Sequence, residues 1–420
     1  MKREDGRVWL EGVPPTELLG NMFHLDGFPA AMRSVLKYKG VEDKYMDDDI
    51  FAAITGQPFR FWFSPDWASC LGYTHEEPLG VVVAKVLGFE YNWHAGSDRT
   101  NIDDLVEHKK ALNRDAVAMA WQELVREIEA GNPVILFGGD TIVDPKAGPV
   151  IVTGYDTQRQ LIYFVPTADW RLAPKWDDAD KDCKEGIKEL GYRGRKRPDE
   201  TNWIGNGFAP GQGMGGAKVS FFAFRGRARR PTEHEVAIAV IKRAVDFARG
   251  KLIDDLRKSR RPGLEAFDLL AQCLDQDVEQ FEYEGRKRPW TEIGREDWWY
   301  AMECLGGPTF RKAASAFLRR CAEGFGDFSG EQRKVINAAA ESYDGSNTNM
   351  IAFWNLFELV GPIEEYEDRT QTTGKALSSR EIRKQAAKII RDIRRNEENA
   401  ISSLGGVLAL ENARTSYHLS

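Results

Sequence analysis

Apolar positions first recur at helical spacing from residue 28. Ala31, Val35, Leu36 and Tyr38 would form one side, with Arg33, Lys37 and Lys39 solvated on the other. Pro29 suits the first turn of that helix, where a missing N–H costs nothing. A second short helix is predicted over 47–55, stopped by Gly56, and PFRFWFSPDW (58–67) reads as an aromatic strand and loop. Residues 76–87 follow as a helix with Pro78 in its first turn and Gly88 as its C-terminal stop, then FEYNWH (89–94) as a strand. An amphipathic helix over 116–130 closes at Gly131. Three short apolar runs come next, PVILF (133–137), PVIVTGYD (149–156) and QLIYFVP (160–166), which together predict an antiparallel meander. After a polar insert over 168–217, KVSFFAF (218–224) is one more strand.

From about Glu233 the pattern turns helical: 233–250, 263–283, 295–304, 308–324, 330–343, 347–360 and 379–400. RGRARRP (225–231) is the natural linker, so the expected domains are 1–230 and 231–420. Helices first, then a small antiparallel sheet, then a helical domain make the fold class α+β. The segment 379–400 is dense in charge and reads as a solvated or partner-facing helix. There is no internal repeat.

A hydrophobic fraction of 42% with 29% charged residues is that of a soluble globular chain, and 420 residues suffice for two or three domains. The net charge of −7 speaks against a general nucleic-acid binder, which would carry a basic excess. No apolar run approaches a membrane span, and the N-terminus has no apolar core of a leader peptide. The five cysteines (Cys70, Cys183, Cys273, Cys304, Cys321) are scattered and form no CxxC pair, which suggests neither a zinc knuckle nor a disulfide framework. The expectation is a cytoplasmic protein with reduced thiols, no cofactor, no metal, no nucleic-acid partner and no membrane partner.

One stretch carries a specific pattern. In HLDGFPAAMRSVLKYKG (24–40) an acidic residue and a turn lead into Pro-Ala-Ala and an amphipathic run ending at Gly40. Farther on, Gly148-Pro149-Val150-Ile151-Val152-Thr153-Gly154-Tyr155-Asp156 forms a strand ending in Gly-Tyr-Asp, preceded by GNPVILF (131–137). These segments resemble the papain-like thiol enzymes in their small bacterial version: the bacteriocin-leader peptidase (C39-like) family and the N-terminal domain of butirosin biosynthesis protein H. The tracts 306–326 and 336–357 resemble the helical tail that follows the latter domain. The likeness spans about residues 20–165 and 233–360 and implies a papain-like fold with helices packed on an antiparallel sheet.

The resemblance also implies where the chemistry should be. The family's cysteine falls at Gly27 and its histidine at Gly148. The third member falls near Val165 or Pro166, and the oxyanion amide at Asn21. Thiol acyl transfer needs a thiolate whose pKa is lowered by a helix N-terminus and an imidazole. Glycine supplies neither nucleophile nor base. The expected protein is therefore a catalytically degenerate relative, not a conventional cysteine peptidase. It would hold a peptide, acyl chain or small molecule in the old cleft, lined by His24, Asp26, Phe28 and Tyr155, with the helical domain as a lid or homodimer surface. One alternative is a working acyltransferase or amide or peptide hydrolase, rebuilt from Cys70 and His75 or from His24, Asp26 and Tyr155. Another is a scaffold acting through its C-terminal helices.

The other constellations have plain readings. Cys70 fits a small core position, and Thr74 with Glu77 makes a capping box around His75. His94 follows a strand and reads as structural, and Asp140 and Asp144 are turn formers. GNGFAPGQGMGG (205–216) lacks the strand and helix of a dinucleotide loop. The basic runs 193–198 and 225–231 are solvated linker, while Trp298, Trp299, Phe353 and Trp354 pack the C-terminal core.

Overall fold

The structure is a computed structural model. It describes residues 1–4, 6–14, 27–65, 79–94, 114–137, 150–157, 161–166, 203–206, 220–251, 261–296, 307–357 and 374–417. The chain opens with a hairpin, β1 (Lys2–Glu4) and β2 (Arg7–Trp9). Helices α1 (Gly27–Tyr38), α2 (Asp43–Met46) and α3 (Asp48–Thr55) follow, then β3 (Trp62–Phe63). Helix α4 (Leu79–Leu87) leads into β4 (Phe89–His94), and α5 (Arg114–Glu129) into β5 (Val134–Phe137). Strands β6 (Val150–Asp156), β7 (Leu161–Pro166), β8 (Trp203–Asn206) and β9 (Ser220–Arg227) come next. The remainder is α6 (Glu233–Ala248), β10 (Arg261–Pro262), α7 (Gly263–Leu274), β11 (Gln280–Tyr283), β12 (Arg286–Pro289), α8 (Trp290–Glu296), α9 (Gly307–Glu323), α10 (Gly330–Leu356) and α11 (Arg380–Tyr417). This is α+β, with antiparallel pairing in every sheet. No helix among the described residues is long and apolar enough to cross a membrane.

Two compact units emerge. The first comprises Met1–Phe51 and Val83–Arg230, the second Ala52–Val82 and Pro231–Ser420. A single division of the chain at 230 would leave Ala52–Val82 with the first unit, whereas this segment packs within the second.

The sheet of the first unit is organised around β6. Along one edge, β5 pairs with Val150–Val152 and β2 with Gly154–Asp156; β7 takes the other edge. The predicted meander β5–β6–β7 is present, and β9 and β4 extend the sheet beyond β5. A bulge on β6 between Val152 and Gly154 inserts one residue against β7 and shifts the alternation of side chains beyond it. Gly154 also admits β2: a Cβ there would lie 2.4 Å from the Val8 carbonyl oxygen. Three strand features differ from the sequence expectation. The N-terminal hairpin covers the β6 edge, β8 lies inside the polar insert and pairs with β7, and β9 runs through Arg225–Arg227 of the expected linker.

Helix α1 is buried from Pro29 through Leu36, not only on its apolar side. Arg33, expected to be solvated, is buried and bonds the Asp48 carboxylate and the Met46 carbonyl. A guanidinium can be buried when charge and hydrogen bonds meet it there, and α2 and α3 bring both. The ammonium of Lys39 reaches the Asn132 side chain.

In the second unit, Phe59 meets Phe317 and Tyr343 edge-on at 6.3 and 5.6 Å, Phe61 stacks on Phe267, and β3 pairs with β10. Arg311, with a wholly buried side chain, donates from Nε to Glu397 at 2.8 Å and from Nη1 to the Arg60 carbonyl at 3.0 Å. Capping boxes begin α6 (Thr232 with Glu235) and α10 (Ser329 with Gln332).

Helical periodicity misled at three places in this unit. The stretch predicted as one helix over 263–283 ends at Leu274, and 280–289 form a hairpin. Its turn residues Glu284 and Gly285 both have positive φ (48° and 77°), as a two-residue hairpin turn requires. The helices predicted over 330–343 and 347–360 are one helix of 27 residues, because packing against α9 and α11 carries it through Gly345-Ser346-Asn347. The last helix extends past 400 to Tyr417.

Candidate functional site

Paired residues in an antiparallel ladder share a face, so the register fixes two surfaces on the first unit's sheet. Phe222 pairs with Trp93 and with Ile135, and Ile135 with Ile151. Phe28 of α1 meets Phe222 at 6.5 Å, so this is the α1 face. It is aromatic: Tyr91 stacks on Phe222 at 5.8 Å, Trp93 lies 6.3 Å away and Phe224 4.9 Å. Phe28, Tyr91 and Trp93 are half-buried.

Gly27 is the first residue of α1. The first turn of the helix, from Gly27, carries no acidic side chain. Pro29 has no N–H, so Gly27 and Phe28 supply the donors at this end. Asn21, His24, Asp26, Cys70, His75 and Gly148 lie outside the described residues.

Tyr155 is on the opposite surface. Its hydroxyl donates to Glu129 at 2.9 Å and its ring meets Trp121 at 6.2 Å, both on α5. The bulge beside Thr153 turns it there. Burial, then the neighbouring Glu129 carboxylate, push its hydroxyl up to about 12, so it stays protonated and acts as a donor. The structure therefore does not bring Phe28 and Tyr155 together on one surface.

The α5 face is polar where the α1 face is aromatic. Asn92 pairs with Ala223, and Arg225 is two residues along the same strand. Glu127 of α5 accepts from Asn92 at 2.9 Å, from Asn132 at 2.8 Å and from Arg225 Nε at 2.8 Å. Burial pushes the Glu127 carboxyl up, but these bonds outweigh it and hold the group below the usual carboxylate range. One helical turn earlier, Glu123 Oε2 lies 3.2 Å from His94 Nδ1. The imidazole stacks on Phe221 with ring centres 5.0 Å apart and planes 7° from parallel. Sequence reading treated His94 alone. Glu123 follows it by 29 positions in the chain, and only the packing of α5 on β4 joins them.

Of the thiols, Cys273 and Cys321 are buried and free. Burial pushes Cys273 up to about 12 and raises Cys321 strongly, so neither supplies a thiolate near neutral pH. Cys70, Cys183 and Cys304 lie outside the described residues, as do Asp140 and Asp144. Among the described residues no three His, Cys, Asp or Glu side chains converge to hold a metal ion. The basic run 225–231 is partly spent on ion pairs, Arg225 with Glu127 and Arg227 with Glu42.

A comparison with protein-family models finds no match, and one with curated proteins finds none either.

Proposed function

We propose that the first unit is a papain-like, C39-like scaffold without its thiol chemistry. It would hold a peptide, an acyl chain or another small ligand with an apolar part, against the aromatic sheet face at the start of α1. One placement carries the reading: Gly27 is the first residue of a deeply buried helix laid on an antiparallel sheet, so the position expected for a nucleophile bears only hydrogen. The meander β5–β6–β7 following α5 is consistent with the same lineage.

The chemistry is binding without turnover. The half-buried rings of Phe28, Tyr91 and Trp93 take apolar ligand surface. The Gly27 and Phe28 N–H groups, at the positive end of the helix dipole, take a carbonyl or carboxylate oxygen. Gly27 offers no thiolate to attack that carbonyl, and on this reading the ligand leaves unchanged.

The test is calorimetric titration with decanoate and with a short apolar peptide amide. Phe28→Ala should weaken binding of whichever probe is taken by about tenfold, the equivalent of 1.4 kcal/mol. Gly27→Val, which puts a branched side chain at the helix start, should block the probe. If both variants bind as the parent does, or if neither probe binds the parent, the reading fails.

A further inference from the structure

We propose that His94 and Glu123 form a second, separate site, a carboxylate-oriented imidazole on the α5 face whose Nε2 accepts a hydrogen bond from a ligand hydroxyl. The site is independent of α1 and of any reading of Gly27.

Two contacts restrain the ring. Stacking on Phe221 fixes its plane, and Glu123 at 3.2 Å from Nδ1 fixes its rotation. A carboxylate beside Nδ1 favours the tautomer with the proton on that nitrogen, which leaves a lone pair on Nε2. Nε2 has no protein partner among the described residues. The His94 side chain is 19% exposed and that of Glu123 33%, so the seam between α5 and the sheet opens to solvent at this point.

Two comparisons separate this pair from a structural tie. Glu127, one turn along α5, already fastens the helix to β4 and β9 through Asn92 and Arg225, and its side chain is 4% exposed. His234, the other described histidine, also meets a glutamate, with Nε2 2.9 Å from Glu411. Its Nδ1 faces the Gly326 carbonyl oxygen, so both nitrogens are occupied. Of the two described histidines, His94 alone presents an oriented nitrogen without a partner among the described residues.

In the proposed contact the ligand hydroxyl donates a hydrogen bond to the Nε2 lone pair, and no covalent bond is broken. Among the described residues, Glu123 on α5 is the charged group in contact with the ring, and Arg225 on β9 feels Glu127, Glu123 and Glu90. Glu127 neutralises that guanidinium, which leaves Glu123 as the carboxylate set against His94.

The probe is diethyl pyrocarbonate, which acylates an unprotonated, accessible imidazole nitrogen, with mass mapping of each labelled histidine at pH 7. His94 should acylate about tenfold faster than His234. Glu123→Gln keeps the shape of the side chain and removes the charge. It should slow His94 several-fold, leave the His234 rate unchanged and leave the melting temperature within about 2 °C. Nitrogen-detected NMR should find the Nδ1–H tautomer in the parent. The proposal is overturned if His94 labels no faster than His234, if Glu123→Gln leaves its rate as it was, or if the proton resides on Nε2. A variant that melts early without a change in the His94 rate marks a purely structural pair and overturns it equally.

Discussion

Replacing Arg311 by Met should be among the most damaging single changes in the second unit. The guanidinium is fully buried, and Glu397 beside it is only 5% exposed. Removing the cation strands a carboxylate away from water, which costs about 3–5 kcal/mol in comparable buried pairs. The Arg60 carbonyl loses its donor at the same time, and the rings of Phe61 and Phe267 lose a cation at 5.6 and 6.0 Å. For a unit of about 200 residues, each kcal/mol moves the melting temperature by roughly 2–4 °C, so the drop should be about 6–20 °C. The informative partner is the double variant Arg311→Met with Glu397→Leu. Removing both charges removes the stranded one, and such replacements are about neutral or better. The double variant should therefore melt well above Arg311→Met alone. Thermal and urea unfolding followed by circular dichroism supply the cycle. A loss below about 1 kcal/mol for the single variant, or additive losses in the double, would refute the reasoning.

Two further outcomes follow from the titrating groups. Burial pushes Glu411 up, but the contacts with His234 and Gln332 outweigh it and hold the carboxyl below its ordinary range. A depressed folded-state pKa contributes stability above the unfolded value of about 4.3 and loses it as pH falls through the folded value. The gap in melting temperature between the parent and Glu411→Gln should accordingly be full at pH 6 and shrink below about pH 4; a gap constant from pH 6 to 3 would contradict this assignment. Cys273 and Cys321 should resist iodoacetamide at pH 8 in the folded protein and react on addition of guanidinium, read by mass mapping, since burial disfavours both thiolates. Labelling of either at the rate of a free thiol would show that the core around it opens.

The α+β class and the existence of α1, α5, β5, β6, β7 and β9 were legible because each has a clean period and a Gly or Pro boundary. What the pattern hid was non-local. Arg33 reads as solvent-facing until Asp48 and the Met46 carbonyl meet it. Tyr155 reads as a neighbour of Phe28 until a one-residue bulge sends it to the other side of the sheet. The alternation in QFEYEGRKRP was lost inside a longer helical pattern, although Glu284-Gly285 is a turn signal in its own right. Gly345-Ser346-Asn347 would end an isolated helix, and tertiary packing overrides that preference. Of the site itself, the place of Gly27 at the head of a helix was readable from Pro29 and the run that follows. The approach of Glu123 to His94 was not, because nothing local to either residue specifies the other.

The placement of Ala52–Val82 has a consequence for biosynthesis. Phe59 and Phe61 leave the ribosome well before their partners Phe317 and Phe267, which follow about 200 or more residues later. At roughly 5–20 residues per second, that is an interval of about 10–40 s during which the aromatic cluster has no permanent cover. This segment must wait for its partners, and a nascent chain stalled shortly before α7 would be the form most in need of a chaperone.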